Sequence, residues 1–333
     1  MSVTIRNIAE AAHVSVATVS RALNNSPAVT DKTRERVFTV ANKLGYVPNS
    51  VAKSLKTNHT QTIGFMVSDI TNSDYISIAR TVEDIVRPRG YNLILCSTGN
   101  RREQELDYLK MLFSKSIDGL ILNTTGFNNS YILKMNEKLP IVLLNRSISS
   151  PKFHGDFVST NSYLGSYLLT QHLLALGHRR IFVVRGPLHL NNSVERFLGF
   201  ADAMEQAGCP VGVNYPYVYC GEYTRENGIN AVIKALSMDP LPTAIISHSN
   251  MPMLGILEEL HRREVGAPKL SLASYDDIPS LNLMKIQPTI AHFDTIALGR
   301  QVARSILEHI QNPQIEHREY IFDPCIVPGN LDA

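Results

Sequence analysis

The stretch that decides the fold is residues 4–37, TIRNIAEAAHVSVATVSRALNNSPAVTDKTRERV. Thr4, Ser15 and Thr30 each precede a run with apolar residues at helical spacing, so each residue can cap the start of a helix. Gly45 is suited to end the last of these helices. The pattern predicts three short helices around a small core. The positions expected to face that core are Ile5, Ile8, Ala9, Ala12, Val19, Leu23, Val37, Val40, Ala41 and Leu44.

A tight turn between the first two helices is typical of a helix-turn-helix, whose second helix reads bases in the DNA major groove. The exposed side of that helix carries Val16, Ala17, Ser20, Arg21 and Asn24. Arg21 can donate two hydrogen bonds to guanine or hold a phosphate, while Val16 and Ala17 are small enough to contact a thymine methyl group. The alternative is a generic three-helix bundle with a solvated basic face.

The charge is unevenly distributed along the 333 residues. The first 60 residues hold eight basic and three acidic side chains, a charge of +5, so the remaining 273 residues carry −3 of the total +2. A basic end on a slightly acidic body is typical of a nucleic-acid-binding headpiece, although many solvated helices are also basic.

From residue 62 onward, strand-like runs alternate with helical runs. This alternation predicts doubly wound parallel sheets, and the number of units favours two lobes. Between the headpiece and these lobes, residues 49–56, NSVAKSLK, can form about two helical turns that would be marginal alone. The predicted strands contain IGFMV, YNLILC, DGLILN, PIVLLN, RIFVV, TAIIS and LSLASY.

The sequence lacks the motifs that are typical of several classes of protein. The chain begins MSVTIRNIAEAAHV, without a secretory signal, and has no apolar run long enough to cross a bilayer. Cys96, Cys209, Cys220 and Cys325 lie far apart without a C-x-x-C pair, which favours free thiols in a reducing cytoplasm. No phosphate-loop, dinucleotide, nucleophile-elbow or H-E-x-x-H motif is present, so we expect no enzyme activity, cofactor or metal.

The sequence resembles the LacI/GalR family of bacterial transcriptional repressors over essentially its whole length. The resemblance begins with the stretch at 4–37 and continues through LGYVPNSVAKSLKTNHTQTIGFMV. It extends through LTQHLLALGHRRIFVVRGP, RFLGFADAM, PTAII, LSLASYDDIP and PTIAHFDTIALGRQVA. It implies that Val16, Ala17 and Arg21 contact bases, that Ala52 enters the minor groove and that Leu55 wedges a base step. The other implied DNA-binding residues are Thr4, Ser15, Thr18, Ser20, Asn24 and Asn49.

The resemblance also implies a core like the periplasmic sugar-binding proteins, with a small molecule held between two lobes. Arg196 and Asp276 match the motifs R-x-x-G-F and YDD, although either residue could instead be a surface or turn residue. Thr160, SHSNMPML and Leu190 depart from the family pattern and argue mildly against a purine. The implied ligand-binding residues are Tyr75, Thr124, Arg146, Asn192, Arg196, Tyr223, Asn250 and Asp276.

We therefore predict an α/β protein: an all-α helix-turn-helix headpiece at 1–47, a hinge at 48–61 and a two-lobed core of doubly wound parallel sheets at 62–333. The expected function is a cytoplasmic repressor that binds a palindromic operator as a homodimer and responds to a sugar-like effector. An activator or a corepressor-dependent repressor is the alternative, and a solute-binding protein is the alternative from another class. The lobes are expected at about 62–161 with 292–323, and 162–291 with 324–333.

Overall fold

The computed structural model describes residues 3–23, 25–46, 59–212, 214–263 and 270–330. The chain divides into two compact units, residues 1–60 and residues 61–333. No helix of the described ranges is long and apolar enough to span a membrane.

The first unit contains three helices, α1 (Ile5–Ala11), α2 (Val16–Leu23) and α3 (Asp31–Lys43), which confirm the three predicted helices. Ser15 caps α2, because its Oγ accepts the backbone amide of Thr18 at 3.0 Å. The prediction that Leu44 faces the core is wrong, because it follows the last helical turn and is 37% exposed. The buried core of this unit consists of Ile8, Ala9, Ala12, Val19, Ala22, Val29, Val37 and Ala41.

The N-lobe of the second unit is a six-stranded parallel sheet in the order β11-β5-β4-β3-β1-β2. Helices cover it, and residues 119–122, 141–144 and 157–160 are buried throughout, as expected for a parallel sheet packed on both faces. Its elements are β1 (Thr62–Val67), α4 (Ser73–Val86), β2 (Asn92–Ser97), α5 (Arg102–Ser114), β3 (Gly119–Leu122), α6 (Asn129–Asn136), β4 (Ile141–Leu144), β5 (Phe157–Thr160), α11 (Thr295–Gln311) and β11 (Glu319–Phe322).

The C-lobe is a second six-stranded sheet in the order β12-β10-β9-β8-β6-β7, parallel except where β12 pairs antiparallel with β10. Its elements are α7 (Ser162–Ala175), β6 (Ile181–Arg185), α8 (Asn191–Gln206), β7 (Val218–Cys220), α9 (Arg225–Leu236), β8 (Ala244–Ser247), α10 (Asn250–Arg262), β9 (Ser271–Tyr275), β10 (Thr289–His292) and β12 (Cys325–Val327).

The chain passes between the lobes after β5, after β10 and after β11. Asn161 and Asp323, on two of these crossings, are joined by a hydrogen bond of 2.8 Å from Asn161 Nδ2 to Asp323 Oδ1. The carboxyl ends of the parallel strands in both sheets border the same cleft, which is where an α/β sheet binds its ligands. This cleft therefore positions the candidate effector site.

The seven predicted strands are all present, which confirms the α/β fold class. Five short strands were not predicted. Helix α4 begins at Ser73, because the side chain of Asn72 accepts the backbone amide of Asp74 at 3.0 Å and caps the helix. As a result, Asp74 and Tyr75 lie on the first turn of α4, at the edge of the cleft.

Candidate functional site

The exposed face of α2 carries the residues expected to read DNA. Val16 is 46% exposed, and Ala17 and Arg21 are also exposed, whereas Val19 and Ala22 are fully buried. An apolar side chain left open at the start of a helix, beside an arginine one turn later, fits a surface that contacts base edges.

The polar residues at the starts of α1 and α2 form hydrogen bonds within the headpiece. Ser15 Oγ and Thr18 Oγ1 lie 2.8 Å apart, and Thr4 Oγ1 donates to Asn7 Oδ1 at 2.8 Å, so these hydroxyls hold the helix starts and remain near the surface. Ser20 is half-buried. The predicted DNA-binding residues outside the described part of the chain are Asn24, Asn49, Ala52 and Leu55.

Replacing Arg21 with Ala should weaken binding to an operator selected from a random library by about 1–3 kcal/mol, because a bidentate contact to guanine would be lost. Fluorescence anisotropy on the selected duplex and on a scrambled duplex measures this. Lys43→Ala, which removes one charge outside α2, is the control and should weaken both complexes equally. An equal loss on both duplexes for Arg21→Ala would show that Arg21 only holds a phosphate.

A cavity lies between the two lobes at the carboxyl ends of the strands. It brings together six of the eight residues predicted to bind ligand, from both lobes. Four strand ends and the starts of α4, α8 and α10 contribute to its wall. The lining residues are Ser68, Asp69, Asn72, Tyr75, Asn100, Arg146, Asn192, Arg196, Tyr223, Ser249, Met251 and Asp276.

The other two predicted ligand residues lie elsewhere. Thr124 lines a second cavity further out, and Asn250 pairs with Asn72 across the lobes: each Nδ2 donates to the other Oδ1, at 3.1 and 3.2 Å. The family resemblance did not imply Ser68, Asp69, Asn72, Asn100, Ser249 or Met251, which also line the inner cavity. The sequence does contain a signal for the structural role of Asn72, because Asn is a preferred residue for capping the start of a helix.

Arg196 is the central charged group of the C-lobe wall. It is 3% exposed, its Nη1 donates to the backbone oxygen of His248, and its guanidinium lies 3.5 Å above the Tyr275 ring. Burial alone would lower the Arg196 pKa, but the charge of Asp276, whose Oδ2 lies 3.7 Å from Nη1, raises it. Arg196 is therefore held fully charged and fixed in place.

His248 belongs to SHSNMPML, the segment at 247–254 that departs from the family pattern. It is fully buried, and its Nε2 lies 3.0 Å from Ser166 Oγ in α7. Burial lowers its pKa well below the ordinary value, and the charges of Arg196 and Arg185 lower it further, so the ring is neutral. Thr160, the other departure from the family pattern, lies 3.0 Å from Tyr275 OH and supports the same tyrosine that Arg196 covers.

Backbone strain marks the ends of two strands at the cleft. Asn145 after β4 and Asp276 after β9 have φ angles of 60° and 73°, in the left-handed region that non-glycine residues rarely adopt. Such strain persists where surrounding structure holds it, and it concentrates at ligand-binding sites. The left-handed backbone at Asp276 places its carboxylate beside the cavity. Gly186 leaves room for the Tyr223 ring, because a Cβ at position 186 would lie 2.2 Å from that ring.

Several buried polar atoms at this cavity have no hydrogen-bond partner among the residues that the structure describes. They are Asn192 Oδ1, Tyr223 OH, and the Nε atoms of Arg146 and Arg196. Leaving a buried polar atom unpaired costs about 1–3 kcal/mol, so a cluster of them indicates that a polar ligand completes the site. The set offers acceptors for hydroxyl groups and donors for oxygen atoms.

A second group of side chains meets across the lobes beside this cavity. Asp74 of the N-lobe and Asp276 and Asp277 of the C-lobe line one small space. Burial, followed by the charges of Asp276 and Asp277, raises the pKa of Asp74 to about 8, and His292 Nδ1 lies 2.8 Å from Asp277 Oδ2. Closing the lobes therefore brings like charges together.

Comparison with known proteins agrees with this architecture. Residues 4–49 match the model of bacterial regulatory proteins of the lacI family, and residues 60–327 match the periplasmic binding proteins and sugar binding domain of the LacI family. An HTH-type transcriptional repressor PurR of Actinobacillus pleuropneumoniae serotype 5b is 31% identical over 317 residues, 95% of this chain and 93% of that protein.

Two solved structures share the fold. The lac repressor dimer bound to operator and the anti-inducer ONPF has a TM-score of 0.83 at 22% identity, covering 100% of this chain and 99% of that one. The complex of the transcriptional regulator CelR with cellobiose has a TM-score of 0.71 at 25% identity, covering 98% of this chain and 99% of that one.

A helix-turn-helix unit followed by a two-lobed core with a polar cleft defines a ligand-responsive DNA-binding transcriptional regulator. With both units matched by their family models, the chain belongs to the LacI family of bacterial regulatory proteins.

Proposed function

We propose that this protein is a cytoplasmic, non-enzymatic repressor that binds a palindromic operator as a homodimer. A sugar or sugar derivative, bound between the lobes of the core, controls that binding. The observation that carries this proposal is the cluster of unpartnered acceptors and donors at the interlobe cavity. The PurR relative is named a repressor, and the CelR structure holds cellobiose, which supports both parts of the proposal.

The domain division that goes with this proposal is a headpiece at 1–47, a hinge at 48–61 and a core at 62–333. Two identical headpieces related by a two-fold axis would address the two halves of a palindrome. The hinge helix at 49–56 would form on DNA and insert Leu55 between base pairs, at an unstacking cost of a few kcal/mol. Ligand-driven movement of the lobes would alter the spacing of the two hinges.

An activator or a corepressor-dependent repressor remains the second candidate, because the same cleft serves either sign of regulation. A thermal-shift screen of sugars, sugar phosphates and nucleobases identifies the effector, because a ligand that binds only the folded state stabilises it. Operator binding measured with and without the hit then gives the sign. A protein that binds sugars but no selected DNA duplex would contradict the regulator and favour the solute-binding alternative.

Asp276→Ala should abolish the response of operator binding to the effector found in that screen. The carboxylate accepts two hydroxyl hydrogen bonds and also holds Arg196, so its loss should weaken effector binding at least tenfold, while the headpiece still binds operator. Titration of the effector against an operator complex measures the response. Asp84→Ala, an exposed carboxylate on α4, is the control. An unchanged response in Asp276→Ala would mean that this aspartate is only a turn residue.

A further inference from the structure

Arg146, at the end of β4, is a buried cation without a counter-charge. Among the described residues, Arg146 and Arg196 are the two arginines that are almost completely buried, each 3% exposed. Arg196 has Asp276 at 3.7 Å, whereas no carboxylate oxygen of the described chain lies within 4 Å of Arg146. A buried charge is costly unless an opposite charge compensates it.

Within the described part of the chain, hydrogen-bond acceptors reach only one nitrogen of the Arg146 guanidinium. Nη1 donates to Asn100 Oδ1 at 3.0 Å and to the Thr124 backbone oxygen at 2.9 Å, which fixes the group in position. Nε is buried without a partner. A guanidinium that is held rigidly with part of its donor edge open matches the two oxygens of a carboxylate or phosphate.

Arg146 also stands where two cavities meet. Together with Asp276 and Arg196, it lines the inner cavity. This cavity has a volume of about 30 Å³, enough for a water molecule. Arg146 also lines an outer cavity of about 370 Å³ at the seam between the lobes, within the size range of ligand pockets. With the lobes closed, the outer cavity is therefore the larger of the two and has room for a small-molecule ligand.

The outer cavity has a polar wall on the N-lobe side and a mixed wall on the C-lobe side, where His189 and Asn191 lie beside apolar residues. The N-lobe side presents Arg146 and Ser147 with Asn129, whose buried Oδ1 lacks a partner, and the C-lobe side presents Leu188 and Val194, which are 63% and 38% exposed. Glu195, whose pKa is raised by burial, lies at the exposed end of the cavity. The surface therefore fits the carbon face and the charged end of a small polar molecule.

We propose that the effector carries an oxyanion, a carboxylate or a phosphate, which binds Arg146 in the outer cavity, while its hydroxyl groups face Asp276, Asn192 and Tyr223. This inference rests on the proposed function and specifies the chemistry of its effector. The ligand class is an acidic sugar derivative: a uronate, an aldonate or a sugar phosphate. The anion supplies the charge that the protein leaves unmatched at Arg146, and the hydroxyls complete the acceptors left open in the inner cavity.

Calorimetry with matched pairs tests the proposal on the full chain. The probes are D-glucose against D-glucuronate, D-gluconate and glucose 6-phosphate, D-galactose against D-galacturonate, and D-ribose against D-ribonate and ribose 5-phosphate. At least one anionic member should bind about tenfold or more tightly than its neutral parent. Binding of acids alone identifies a carboxylate, and binding of phosphate esters alone identifies a phosphate. A panel in which no anionic member exceeds its parent, including a panel without any binding, overturns the proposal.

Variants test the residue. Arg146→Gln should remove the preference for the anionic member, and Arg146→Lys should keep part of it, because lysine retains charge without the planar donor edge. Arg80→Gln, an exposed arginine on α4, is the matched control and should bind like the native chain. An undiminished preference in Arg146→Gln overturns the assignment. If Arg146→Gln does not fold, Arg146→Lys is the deciding variant. An undiminished preference of Arg146→Lys for the anionic probe, together with binding that does not depend on salt concentration, overturns the assignment. A neutral sugar that binds and releases the operator would leave the proposed function standing while this inference fails.

Discussion

Replacing Asp156 with Asn should lower the free energy of unfolding of the core by about 3–5 kcal/mol, the usual cost of leaving a buried ion pair without one partner. Asp156 is fully buried just before β5. Its Oδ1 lies 3.0 Å from His309 Nε2 in α11, and its Oδ2 lies 2.7 Å from Arg318 Nη2 at the approach to β11. One carboxylate therefore fastens α11 and β11, which follow the crossing after β10, to the N-lobe sheet.

The sign of the pH effect follows from the pKa of Asp156. Burial alone would raise it, but the hydrogen bonds from His309 and Arg318 outweigh burial and lower it far below the ordinary value of 3.8. A lowered pKa contributes stability above the unfolded-state value, and this contribution is lost as the pH falls through the folded-state value. Native protein should thus lose stability steeply in acid, and Asp156→Asn should lose less.

Thermal unfolding measures the change, and a loss of this size should lower Tm by on the order of 10 °C. Glu308→Gln is the control, because Glu308 contacts the same arginine at 2.8 Å but is 38% exposed, so its removal should cost less than about 1 kcal/mol. A Tm change for Asp156→Asn no larger than that of the control would show that the buried cluster does not hold the crossings in place.

The helices of the headpiece were predictable because their signals are local. Thr4, Ser15 and Thr30 each stand directly before a helix, and the apolar spacing within the next two turns identifies the buried side. Leu44 shows where this reasoning stops: it continues the helical spacing of α3, but the helix has already ended at Lys43, so the side chain is exposed. Spacing predicts a face only while the helix continues.

The short edge strands depend on pairing that local sequence does not reveal. β11 pairs with β5 through Glu319 and Phe157, which are more than 150 residues apart, and none of its four residues is fully buried. The candidate site shows the same limit. Family resemblance pointed to Asn250, but its partner Asn72 lies 178 residues earlier, and only the closed lobes bring the two amides together. Residues that act across a cleft acquire their role from the fold.

Raising the pH from about 5 to 8 should open the lobes of the effector-free core, and Asp74→Asn should remove most of that dependence. With the lobes closed, Asp74 faces Asp276 and Asp277, and burial followed by these two charges raises its pKa from 3.8 to about 8. Arg196 acts in the opposite direction on the pKa of Asp74, and His292 Nδ1 lies 2.8 Å from Asp277 Oδ2 on the far side of the group.

The direction follows from proton linkage. Because the pKa of Asp74 is higher in the closed form than in an open, solvated form, closure takes up a proton. The closed form is therefore favoured below the ordinary pKa and loses its advantage as the pH rises towards about 8. The upper limit is a tenfold shift towards the open form for each pH unit in that window.

Double electron–electron resonance between two spin labels measures the distance between the lobes. The labels replace the exposed residues Lys134 in the N-lobe and Glu226 in the C-lobe, and the exposed cysteines are replaced by serine. Native protein should show a growing fraction of long distances between pH 5 and 8, and Asp74→Asn should stay closed, because the amide keeps the size of the side chain without its charge. Asp84→Asn, on the exposed side of the same helix, should behave like the native chain. A distance distribution that is independent of pH in the native protein would mean that the three carboxylates are accommodated without a proton. The same pH dependence in Asp74→Asn would assign it to another group.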